Sequence, residues 1–134
     1  MATYCGRFRS NYFKVKNADE YEMFCDLYGL TLIKKKDDGD MYGFMSEDSP
    51  TLPSGYYSEA AGDFVETDFF QELSKHMLAG EVAVVMETGY ESMRYLIGGA
   101  TAVNSNGKVL CVSLEDIYEK IKKCFKTTTT RCEY

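Results

Sequence analysis

Two short turn signals constrain this chain more than any other feature. Asp37-Asp38-Gly39-Asp40 and Asn104-Ser105-Asn106-Gly107 each lie between runs rich in β-branched, aromatic and other apolar residues. Asp-Gly and Asn-Gly pairs supply the positive φ angles that a tight hairpin turn requires. The chain is therefore expected to form at least two antiparallel hairpins, 31–35 with 41–45 and 92–103 with 108–112.

The remaining segments fit around those hairpins. Residues 3–16 are rich in aromatic and β-branched residues, and Phe13 and Val15 alternate with Lys14 and Lys16, which predicts a first strand. Asn17 followed by Glu20 is a helix-capping pattern, and Tyr21, Phe24, Cys25 and Tyr28 follow at helical spacing. They predict a helix over 18–28 with Gly29 as its C-cap. Residues 46–62, with Pro50, Pro53 and the pair Tyr56-Tyr57, predict a long surface loop. Asp63 or Thr67 is expected to cap a second helix running to about Leu78 and ending at Gly80. The apolar run Val82-Ala83-Val84-Val85-Met86 predicts a mid-sheet strand buried on both faces. Gly98-Gly99 within a strand predicts a bulge or a close backbone approach. From Ser113 a third helix is expected, with Leu114, Ile117, Tyr118, Ile121 and Phe125 on one stripe and Lys120, Lys122, Lys123 and Lys126 opposite. The result is a single α+β domain over 1–126 in the order βαββαβββα, a mainly antiparallel sheet with about three helices, followed by a polar tail over 127–134. At 134 residues one core suffices.

Charge is distributed unevenly. From Asp37 to Ser74 there are ten acidic residues and no Lys or Arg, while the remainder carries fifteen basic and eleven acidic residues. Such a field repels phosphates and speeds encounter with a basic protein surface. The acidic run meets exposed-type aromatics around Tyr56-Tyr57. Asp37, Asp38, Asp40, Glu47, Asp48, Tyr56, Tyr57 and Glu59 are accordingly the candidate partner-binding residues. A solvated face that only maintains solubility is the alternative reading.

Signals for catalysis are sparse. The chain has one histidine, no paired-cysteine motif and no phosphate-binding glycine signature, so no metal or cofactor is expected. His76 is expected to be a helix-boundary residue. Glu87 and Glu91, taken to lie in a loop, or a cysteine, are the candidates for a small enzyme. Cys25 and Cys124 are expected on apolar helix faces, and an odd count of five cysteines favours free thiols. Arg7, Arg9, Lys14 and Lys16 interleave with Phe8, Tyr12 and Phe13, but the net charge of -6 opposes direct nucleic-acid binding. Without an apolar run long enough for a membrane span or a signal peptide, a cytoplasmic location is expected, with no membrane partner.

Arg9-Ser10-Asn11-Tyr12-Phe13-Lys14-Val15-Lys16, and later Glu87-Thr88-Gly89-Tyr90-Glu91 with Met93-Arg94-Tyr95-Leu96, resemble small uncharacterised proteins of bacterial phages and conjugative elements. The resemblance implies an anti-defence role of the anti-CRISPR or anti-restriction type in a bacterial host cell, and carries no functional residue by motif. The functional expectation is a non-enzymatic inhibitor whose acidic face blocks a basic, nucleic-acid-binding surface of a defence protein. An immunity protein or antitoxin that neutralises a basic toxin has the same physics.

Overall fold

The structure is a computed structural model that describes residues 4–35, 40–46, 49–91 and 95–132. The chain runs through β1 (Tyr4–Ser10), α1 (Ala18–Tyr28), β2 (Thr31–Lys35), β3 (Met41–Met45), β4 (Gly55–Ser58) and β5 (Asp63–Glu66). It continues through α2 (Phe69–Ser74), β6 (Val82–Glu91), β7 (Tyr95–Asn104), β8 (Val109–Ser113) and α3 (Asp116–Phe125). Six strands form one antiparallel sheet in the order β2-β3-β1-β6-β7-β8, and β4 and β5 form a separate antiparallel pair. The fold is a single α+β domain, as the hairpin signals and helical stripes imply.

The first helix forms where its capping pattern places it. The Asn17 side chain accepts from the Glu20 N–H at 2.9 Å, and Gly29 closes the helix at φ 69°. A residue without Cβ takes that left-handed conformation at little cost. The predicted stripe Tyr21, Phe24, Cys25 and Tyr28 is buried. It meets Phe8, Phe13, Phe44, Phe69, Leu73 and Val85 in a core built largely of aromatic rings. At roughly 1.5–3 kcal/mol for each large side chain removed from water, this cluster supplies the main driving force for folding.

The first strand is shorter than its sequence suggests, because its regular ladder with β6 ends at Ser10. The Asn11 side chain donates to the Val82 carbonyl at 3.0 Å and accepts from the Val84 N–H at 2.8 Å. Beyond it, isolated bridges pair Phe13 with Tyr42 and Val15 with Met77. Those bridges also explain why α2 stops at Ser74 rather than continuing to Leu78. The Leu78 N–H donates to the Lys14 carbonyl at 3.1 Å and the Lys16 N–H to the His76 carbonyl at 2.9 Å, so this backbone pairs with a neighbouring chain segment. Asp68, rather than Asp63 or Thr67, caps α2, accepting from the Gln71 N–H at 3.3 Å.

Three further expectations are corrected. The loop expected over 46–62 contains β4, whose partner β5 occupies the region assigned to the start of the second helix. The Thr88-Gly89-Tyr90-Glu91 segment is not a loop: β6 runs through it in continuous register with β1 and β7. β6 is central but not buried on both faces, since Ala83 and Val85 are buried whereas Val82 and Met86 are exposed. Of the two readings of Gly98-Gly99, the close approach is observed. Register is unbroken through both residues, and a Cβ on Gly99 would sit 2.8 Å from the Val112 carbonyl oxygen.

The alternation of strands gives the sheet two distinct faces. Phe8, Ser10, Val85 and Val103 point to the core side, under α1 and α2. Met45, Met86, Tyr90, Leu96, Leu110 and Val112 point to the other side, the outer face, and all are exposed. No residue of α3 is buried, so its apolar stripe does not pack on the described core. Cys124, expected on a packed helix face, is exposed, whereas Cys25 is buried. The chain from Thr127 to Cys132 turns back along α3, where the Cys132 N–H donates to the Tyr118 hydroxyl at 2.6 Å. Among the described residues, no helix is long and apolar enough to cross a membrane.

Candidate functional site

The β4–β5 hairpin is organised by two glycines. Gly62, at φ 67°, ends the turn, and its N–H donates to the Ser58 carbonyl at 2.8 Å. Gly55 lies so close to β5 that a Cβ would stand 2.1 Å from the Val65 carbonyl oxygen. Pairing of Tyr56 with Val65 and of Tyr57 with Phe64 sets the two faces of the hairpin.

Tyr56 turns inward. Its ring packs edge-on against Tyr28 at 5.6 Å between centroids, and the Tyr28 hydroxyl hydrogen-bonds Thr67 Oγ1 at 2.7 Å. Burial pushes the Tyr28 hydroxyl above its ordinary value, with the Thr67 hydrogen bond opposing the shift. The hairpin is thus tied to α1 at both a ring contact and a hydroxyl pair. Tyr57 and Phe64 turn outward, 63% and 50% exposed as a cross-strand pair. Glu66 shares their face two residues along β5, while Glu59 and Asp63 stand at the turn.

A groove of about 440 Å³ adjoins the hairpin, lined by Met23, Leu27, Tyr56, Glu20, Glu72 and His76 among others. Met23 and Leu27 of α1 are exposed along it. His76 follows α2 instead of lying within it, and its ring packs against Phe24 at 4.8 Å. Burial lowers its basicity, while Glu20 and Glu72 work in the opposite direction. Hairpin and groove together present apolar and aromatic side chains within a frame of carboxylates.

The structure does not assemble all the sequence candidates. Tyr56, Tyr57 and Glu59 come together on the hairpin. Asp40 stands apart, at the β2–β3 end, 3.8 Å from the Lys34 ammonium in an exposed pair. Lys34 pairs across the strands with Tyr42, which packs on Tyr21, whereas Tyr56 packs on Tyr28. Tyr21 and Tyr28 are separated by about 10 Å along the helix axis, so Asp40 and the hairpin belong to different ends of α1. Asp37, Asp38, Glu47 and Asp48 lie outside the described residues. Sequence reasoning missed Phe64, Met23 and Leu27. The short alternation Asp63-Phe64-Val65-Glu66 after Gly62 was the available signal for the first of these.

The alternative chemistries are arranged differently. Glu87 and Glu91 share the core side of β6, about 13 Å apart along the strand, with Tyr4 over Gly89 between them. A cleft of about 860 Å³ nearby is lined by Tyr4, Cys5, Arg7, Thr88, Tyr90 and Leu96 among others, and neither glutamate lines it. The Cys25 thiol is buried and pushed up to about 11, chiefly by desolvation, which suits a packing residue rather than a nucleophile. Of the three rings in the base-stacking reading, Phe8 and Phe13 are in the core, while Tyr12 is half-buried with the Arg9 guanidinium over its ring. Comparison with known proteins finds no matching family model, no similar curated protein and no matching solved structure.

Proposed function

We propose that the protein is a non-enzymatic binding protein that docks its β4–β5 hairpin and the adjoining groove on a basic surface of a partner protein. The observation that carries this reading is the exposed Tyr57–Phe64 pair with Glu59, Asp63 and Glu66 around it. Aromatic side chains that bury large area at low entropic cost are the usual anchors of an interface, and surrounding charge sets encounter rate and orientation. A surface that binds nucleic acid is the natural basic target, because carboxylates and phosphates compete for the same Lys and Arg side chains. The resemblance to phage and conjugative-element proteins supplies the setting, an inhibitor of a bacterial defence protein in the cytoplasm.

The test is capture from a bacterial lysate with immobilised wild type and with Tyr57→Ala/Phe64→Ala, followed by a nucleic-acid-binding assay on the captured protein. The proposal predicts one partner, absent with the variant, whose nucleic-acid binding is blocked by the wild type. A partner retained by the variant, or one whose nucleic-acid binding is untouched, contradicts it. A captured toxin would identify the immunity-protein role.

A further inference from the structure

The side of the sheet remote from the hairpin carries an unpartnered surface of another kind. Met86, Tyr90, Leu96, Leu110 and Val112 form an apolar outer face over β6, β7 and β8, and Met86 and Leu110 are 63% and 67% exposed. Leu114, just before α3, and Ile117 and Phe125 of the α3 stripe are exposed as well, Phe125 by 73%. Together the side chains of these two separate surfaces expose on the order of 1,000 Å² per chain. The area matches the about 800 Å² that each partner contributes to a stable interface.

The two apolar surfaces are the two halves of one helix-on-sheet layer. From Ile117 to Phe125 the helix stripe spans about 12 Å, and the three strands β6, β7 and β8 spread over about 10 Å. Within one chain Leu114, just before α3, meets the sheet, with its side chain over Gly98 and its N–H donating to the Gly98 carbonyl at 2.9 Å. α3 itself has no buried residue. β8 is also an edge strand, with one row of backbone donors and acceptors left for another strand.

We infer that the outer face and α3 form a homodimer interface, in which each copy lays its α3 stripe on the outer face of the other. A two-fold axis beside β8 satisfies both halves at once, since an isologous contact repeats every helix-to-face pairing. Antiparallel pairing of β8 with its copy closes both edges, and it carries each α3, which starts at the end of β8, over the partner's sheet. Lys120, Lys122, Lys123 and Lys126, on the opposite side of α3, stay in water. A second copy is favoured over another partner because this chain itself contains both complementary surfaces. The hairpin packs on the other side of the sheet, so the dimer presents two hairpins facing away from the shared interface.

Light scattering and equilibrium sedimentation of the full chain at micromolar concentration test this directly. The expected mass is twice the 15.2 kDa of one chain. Ile117→Asp/Phe125→Asp and Met86→Asp/Leu110→Asp, which alter only exposed positions, each weaken dimerisation by at least ~30-fold while leaving circular dichroism unchanged. Mixing the two variants restores a heterodimer, because one helix and one face remain intact and complementary. Three outcomes overturn the inference: a monomer at tens of micromolar, a dimer insensitive to both variants, or variants that do not complement. The same holds for a monomer that sediments with phosphatidylglycerol vesicles through α3, which would make the helix a membrane-surface element.

Discussion

Removing the hydroxyl from Tyr21 and from Tyr28 is one chemical change that the structure predicts will act with opposite signs. Tyr21 is fully buried, and its hydroxyl makes no hydrogen bond of good geometry, its nearest polar interaction being with the Cys25 thiol. A buried hydroxyl without a partner carries a desolvation cost of about 1–3 kcal/mol. Tyr21→Phe keeps the ring contacts with Phe13, Phe24 and Tyr42 and removes that cost. A gain near 1 kcal/mol is expected, at the low end because the thiol recovers part of the loss. Tyr28→Phe instead removes the 2.7 Å bond to Thr67 Oγ1 and leaves the threonine hydroxyl unpaired, so a loss of about 1 kcal/mol is expected. For a chain of this length each change moves the melting temperature by about 4 °C. Urea unfolding of both variants beside wild type gives the two values at pH 7. Destabilisation by Tyr21→Phe of more than about 0.5 kcal/mol would refute the reasoning, because it would show that the hydroxyl has a partner.

Other consequences are equally direct. Gly55→Ala drives a Cβ into the Val65 carbonyl, so it should cost about 1–3 kcal/mol and make the hairpin the first site of proteolytic cleavage; wild-type resistance there would contradict the packing. His76 has a folded pKa below its unfolded value, so the unfolded chain binds more protons between the two. Stability should therefore be complete above about pH 6.5 and fall as the pH drops toward the folded value, and His76→Gln should flatten that slope in melts from pH 7.5 to 5. Exposed Cys5, Cys111, Cys124 and Cys132 should react with a thiol reagent in the native state, whereas Cys25 reacts only on unfolding.

The architecture was legible where local chemistry and tertiary context agree. The first helix follows from the Asn17 cap and the Gly29 terminus, and the β7–β8 hairpin from Gly107, which takes a positive φ of 85° where Asn106 does not; the Asp38-Gly39 turn expected between β2 and β3 lies outside the described residues. The length of α2 was not legible because bonds from Lys14 and Lys16 claim the backbone after Ser74, and sequence patterns do not show such long-range pairing. The β4–β5 hairpin escaped because its strands have only four residues each, and because Gly55 acts through close approach to a residue ten positions away. For the candidate site, the acidic run and Tyr56-Tyr57 pointed to the segment that forms the β4–β5 hairpin, but composition does not say which tyrosine faces in. Tyr28 decides that, by taking Tyr56. The exposed outer face was hidden by the apolar run at 82–86, which reads as buried when a neighbouring layer is assumed.

The most direct test of the account is the salt dependence of partner capture by the hairpin, comparing wild type with Glu59→Lys/Asp63→Lys/Glu66→Lys at low and at high ionic strength. The account predicts one partner bound by wild type at low salt, weakened at high salt where charges are screened beyond a few ångströms, and lost from the variant at both. A partner captured equally by wild type and variant, or indifferent to salt, would contradict the claim that the acidic hairpin recognises a basic surface.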